Sequence, residues 1–93
     1  MEEKFLAQLS LNRQQAEKLG VRIRPVTDMA FVHRCLSGHR ESDGFYQLVR
    51  LGKAELTLEA LSVKKQFSGL FTDEQANNAL TRLLDAGYTF RQQ

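Results

Sequence analysis

ELTLEALSVKKQFSGLFTDEQANNALTRLLDAGYTF, running from Glu55 to Phe90, is the stretch whose punctuation decides the fold. Thr72 stands immediately before an apolar-periodic segment, and Gln75 follows it at the spacing of a capping box. Asp73 and Glu74 fill the first turn, where negative charge suits the helix dipole. Ala76, Ala79, Leu80, Leu83 and Leu84 then recur on one helical stripe, and Gly87 supplies a stop. The spacing predicts a helix from Thr72 to Gly87, with Leu80 and Leu83 as its buried anchors. A preceding helix is predicted from a Thr57 cap to about Gln66, with Leu58 and Leu61 facing inward and Ser68-Gly69 as the turn between the two.

Working outward, Phe5, Leu6 and Leu9 have helical spacing over Glu2–Leu9. Asn12, with Gln15 three residues on, is placed to cap a separate helix that Gly20 ends. The period then changes. Val21-Arg22-Ile23-Arg24 alternates apolar and basic residues, which reads as a short edge strand limited by Pro25. Tyr88-Thr89-Phe90 is available to pair with it as a minimal two-stranded sheet. Thr27 or Asp28 is expected to cap a helix carrying Met29, Val32, Cys35 and Leu36 on one face. Gly38–Asp43 reads as a polar loop, and Ser42 or Asp43 as the cap of a helix from Gly44 to about Gly52. Residues 45–61 also allow a rival hairpin turning at Gly52-Lys53. Helix is preferred because Val and Ile are nearly absent there. The expected class is mainly α, with α+β around a central hairpin as the alternative.

Ninety-three residues, 42% hydrophobic and 26% charged, make one small domain with one modest core. A domain so small is marginal alone, so a homodimer is an expectation. The single cysteine, Cys35, permits no intrachain disulfide and fits a reducing compartment. Neither a signal-like apolar run nor a membrane span is evident, so a cytoplasmic location is expected, with no membrane partner. The net charge of +2 is too small to imply nucleic acid by itself. Its distribution is uneven: nine Lys/Arg against six Asp/Glu in residues 1–53, and four against five in residues 54–93.

The order of the LTLEAL helix, a turn, a long helix and Leu-Leu-Asp-Ala-Gly-Tyr resembles the helical core of bacterial helix-turn-helix and winged-helix regulators. That resemblance covers the second half of the chain. It implies that the last helix enters a DNA major groove, with a two-stranded wing after it. Two departures stand against it: six residues follow Gly87, and the last helix begins with an acidic pair that would face phosphates.

Within this reading Asn78 and Arg82 are the residue types that read base edges. Arg22 and Arg24 on the edge strand, and Lys64 and Lys65 at the end of the preceding helix, would contact phosphates. Each has a plainer reading as well. A solvated helix face accounts for Asn78 and Arg82, a helix-dipole contact for the two lysines, and a solvated edge for the two arginines. His33 and His39 match no zinc pattern, and His33 is expected towards solvent. Cys35 belongs to an apolar helix face. It lies about 200° from His33 around a helix, so the two form no nucleophile–base pair. No phosphate loop or serine elbow is present, and neither a cofactor nor a metal is expected. The function classes left are a small DNA-binding transcriptional regulator and a non-enzymatic protein-binding module, an inhibitor or adaptor of phage, plasmid or bacterial origin. A helix-dominated far-ultraviolet circular dichroism spectrum is expected of the purified chain. A strand-dominated one would establish the hairpin instead.

Overall fold

The computed structural model describes residues 1–88, and the fold is mainly helical. Five α-helices carry it: α1 Glu2–Lys18, α2 Met29–Ser37, α3 Phe45–Arg50, α4 Leu58–Ser62 and α5 Asp73–Asp85. Two 3-10 segments, Ala54–Leu56 and Lys65–Leu70, flank α4. Among the described residues there is no strand, which removes both the central hairpin and a strand at 21–26. Thr89 and Phe90, the rest of the expected partner strand, lie outside the described residues.

The centre of the molecule is α4, one and a half turns long, with all five residues buried. So short a helix has little stability of its own and depends on packing. Thr57 forms it from both sides. Its hydroxyl accepts from the Ala60 amide at 3.0 Å and donates to the Ala54 carbonyl at 2.8 Å, joining the end of one 3-10 segment to the start of α4. At the other end the Ser62 hydroxyl donates back to the Glu59 carbonyl at 2.8 Å, and the helix stops there rather than at Gln66.

Around α4 the main core gathers Phe5, Met29, Val32, Leu36, Leu58, Leu61, Phe67 and Ala79. Phe5 meets Phe67 and Phe71 edge-on at centroid distances of 5.1 and 5.2 Å. A second cluster, Ala16, Val21, Leu48 and Leu56, sits under the end of α1, and a third joins Phe45, Ala60 and Leu83.

Several expected boundaries shift. The two N-terminal helices are one, because nothing between Leu9 and Asn12 breaks the chain. Asn12 is buried inside α1 and accepts from the Gln8 side-chain amide one turn earlier, at 3.0 Å, instead of capping a new helix. Gly20 does end α1: the Gly20 and Val21 amides return to Glu17 and Ala16, and Val21 packs on Ala16. Asp28, not Thr27, caps α2 through the Phe31 amide. The Thr72–Gln75 capping box is formed as read.

Gly44 precedes α3 with φ +76, and neither Ser42 nor Asp43 caps that helix. A Cβ at Gly44 would stand 2.9 Å from side-chain atoms of both Val21 and Ile23. Glycine is therefore required twice over, for its backbone angle and for the close approach of the 38–44 loop to residues 21–23.

On α5 the buried positions are Gln75, Ala79, Arg82 and Leu83, while Leu84 is 59% exposed and Leu80 only half-buried. The helix is thus rotated away from its apolar stripe towards a polar one. Leu83→Ala should cost about 2–5 kcal/mol of unfolding free energy, and Leu84→Ala within about 0.5 kcal/mol of nothing. Urea denaturation of both variants checks this, and equal losses would mean that the stripe, not the polar face, is packed.

Candidate functional site

The polar face of α5 meets the C-terminal turn of α2. There the last carbonyls of α2 have no partner within their own helix. Gln75, Asn78 and Arg82, at i, i+3 and i+7, supply donors from outside. The Asn78 side-chain amide donates through Nδ2 to the Leu36 carbonyl at 2.8 Å, and Arg82 Nη2 donates to the carbonyls of Cys35 at 3.2 Å and Gly38 at 2.7 Å. Gln75 Nε2 donates to the Ser37 hydroxyl at 3.0 Å and weakly to the His33 carbonyl. Gln75 Oε1 accepts from the Thr72 amide and lies 3.1 Å from His33 Nδ1, so that ring nitrogen carries the proton. His33 is half-buried against the Phe71 ring rather than turned to solvent.

The Arg82 guanidinium, expected at base edges, is thus engaged within the fold. It is buried, with its Nη1 donating to Glu59 Oε2 at 3.1 Å. Glu59, fully buried on α4, also accepts the Ser42 amide at 2.8 Å and the Ser42 hydroxyl at 2.5 Å. Every buried side-chain nitrogen and oxygen among the described residues has a partner. This ion pair joins α4, α5, the end of α2 and the 38–44 loop in one contact set. Sequence reasoning missed it. The available signal was Glu59 inside the apolar run Leu58–Leu61, and Gln75, Asn78 and Arg82 sharing one face.

The basic residues expected at phosphates, and Arg13 beside them, lie in different settings. Arg13 pairs with Glu17 and donates Nε to the Ile23 carbonyl at 2.8 Å. Lys64 and Lys65 are exposed, but they follow the end of α4 and begin the 3-10 segment instead of closing a helix. Arg22 is exposed, and Arg24 lines a cavity together with Arg13.

That cavity is an open cleft of about 780 Å³ between the irregular segment 21–27, the 38–44 loop and helices α1, α2 and α3. Its volume is within the range of ligand-binding clefts. Phe45, Leu56 and Leu58 contribute buried apolar surface to it. Phe31 and Tyr46 stand on its rim, 42% and 54% exposed, with Arg34 over the Phe31 ring. Tyr46 donates its hydroxyl to Glu41 at 2.8 Å, which lowers the Glu41 pKa and raises that of Tyr46. The Asp43 carboxylate accepts the Arg24 amide at 3.0 Å, fastening the two walls to each other.

Cys35 also lines the cleft. Burial, then the nearby Glu59 carboxylate, raises its pKa, so the thiol stays protonated and is a poor nucleophile. Among the described residues no group of three or more His, Cys, Asp and Glu could hold a metal ion, and no helix is long and apolar enough to cross a membrane. No protein-family model, curated protein or solved structure matches the chain.

Removing one member of the buried pair leaves the other charged and dry. Glu59→Leu and Arg82→Met should each cost about 3–5 kcal/mol, while the two together should lose less than the singles added. Denaturant unfolding of the three variants measures this. A single variant as stable as the parent chain would remove the pair from its structural role.

Proposed function

We propose that the protein is a non-enzymatic protein-binding module whose docking face is the cleft beneath segment 21–27. The observation that carries this reading is the rim: Phe31 and Tyr46 stand exposed beside Arg24 and Arg40 around an apolar floor. Aromatic and arginine side chains are the types that anchor protein interfaces, because each brings large contact area together with polar specificity. The side chains lining the cleft favour binding over catalysis. Its thiol is held protonated, and the acids lining it are engaged with Tyr46 and the Arg24 amide.

DNA binding in the helix-turn-helix manner is the second reading. Exposed Lys64 and Lys65 ahead of α5 favour it, as does the order of α4 and α5. It loses support where it was most specific, since Arg82 is consumed by Glu59 and Asn78 by the Leu36 carbonyl.

Two measurements separate the readings. In fluorescence anisotropy at low salt, a mixed-sequence duplex should show no binding at about tens of micromolar protein, a range in which even non-specific DNA binders associate. Salt-dependent binding weakened by Lys64→Ala with Lys65→Ala would restore the DNA reading. Tagged chain should retain a partner from lysate of its own cells, and Phe31→Asp should release it. A retained protein indifferent to Phe31→Asp, Tyr46→Ala and Arg40→Glu would remove the cleft from the interface.

A further inference from the structure

The hydrogen-bonding capacity left open around the cleft describes an occupant. Residues 23–27 form one wall, within segment 21–27, which joins no helix or sheet. Of its backbone groups, the Val21 amide is taken by the Ala16 carbonyl, the Ile23 carbonyl by Arg13 and the Arg24 amide by Asp43. Among the described residues the amides of Arg22, Ile23, Val26 and Thr27 have no partner within the chain. Backbone donors of this kind are what an added peptide strand uses.

The charged side chains lining the cleft divide by what they have left to give. Glu41 and Asp43 already accept bonds from Tyr46 and from the Arg24 amide. The guanidinium groups of Arg24 and Arg40 make no hydrogen bond or ion pair among the described residues. A guanidinium carries five donors and no acceptor, so its matching group is a carboxylate, and the pairing is the stronger for being charge-assisted. Val26, Phe31 and Tyr46 also line the cleft and offer apolar surface to an apolar side chain.

Building on the protein-binding reading, we infer that the cleft takes an extended acidic–apolar peptide segment of a partner protein. The segment's main chain runs beside residues 23–27. Its aliphatic or aromatic side chain enters against Phe31 and Tyr46, and an Asp or Glu meets Arg24 and Arg40. Unpaired backbone on one wall favours an extended chain over a helix, whose own main chain is satisfied internally. It also favours a peptide over a purely apolar small molecule, which would leave those amides without partners.

The test is to pan a phage-displayed library of short random peptides on the full chain, then titrate a labelled synthetic peptide of the enriched consensus. Enriched sequences should pair Asp or Glu with an aliphatic or aromatic residue. Arg24→Glu and Arg40→Glu should each weaken that peptide by at least about tenfold, the scale of one charge-assisted hydrogen bond, with unchanged circular dichroism. Hydrogen exchange of segment 23–27 should slow in the complex. Enriched peptides that lack carboxylates, ignore both charge reversals or leave 23–27 exchange unchanged would overturn this occupant while keeping a protein-binding module. A chain that dimerises in sedimentation and is split by Phe31→Asp would make a second copy the occupant and overturn the inference as well. Absence of any enrichment also overturns it. Salt-dependent duplex binding in the anisotropy assay would then show that the protein-binding reading has fallen too.

Discussion

The ion pair between Glu59 and Arg82 is the constraint on which the rest of this molecule depends. Two opposite charges are withdrawn from water at the centre of a domain too small to spare much stability. Such a pair is tolerable only when its remaining lone pairs and protons are satisfied. Here the carboxylate takes both donors of Ser42, and the guanidinium serves the carbonyls of Cys35 and Gly38. The pair fixes where a loop and a helix end must lie. An apolar pair of the same volume would fill the space without dictating either position.

That constraint reaches the cleft through the loop. Ser42 is bound to the interior, while its neighbours Glu41 and Asp43 bind Tyr46 and the Arg24 amide at the surface. Gly44 lets the loop approach Val21 and Ile23 more closely than any side chain would permit. The cleft is thus held open by polar contacts that originate in the core, and its rim residues are presented by elements that α4 and α5 organise. The shape of the cleft and the stability of the fold rest on one set of hydrogen bonds.

The arrangement of α5 against α2 has a related logic. Isolated helix ends leave carbonyls without partners, and α2 ends in an extended Gly38 without a side-chain cap of its own. Gln75, Asn78 and Arg82 cap it from the neighbouring helix. A face of amide and guanidinium groups, which on a recognition helix would meet bases, meets a helix terminus instead. Both targets present carbonyl-type acceptors to the same donors. For this reason residue type alone did not distinguish a DNA-reading face from an interior one.

Local chemistry made much of the chain legible from its sequence. The capping box at Thr72 and Gln75, the cap at Thr57 and the glycine that ends α1 each need only residues within one turn and formed as read, and Asp28 took the α2 cap left open between it and Thr27. The mainly helical class follows from them. Sequence reading failed where other contacts took over. Asn12 read as a cap until Gln8 and the continuity of α1 placed it inside a helix. Val21–Arg24 alternated like a strand but found side chains of Arg13 and Asp43 instead of a ladder. The stripe through Leu84 was turned outward because the buried charge on Glu59 required Arg82 more than the core required another leucine. Contacts within a turn are written in neighbouring residues. The ion pair spans 23 residues and the clamp on α2 more than forty, so only the folded chain could bring those groups together.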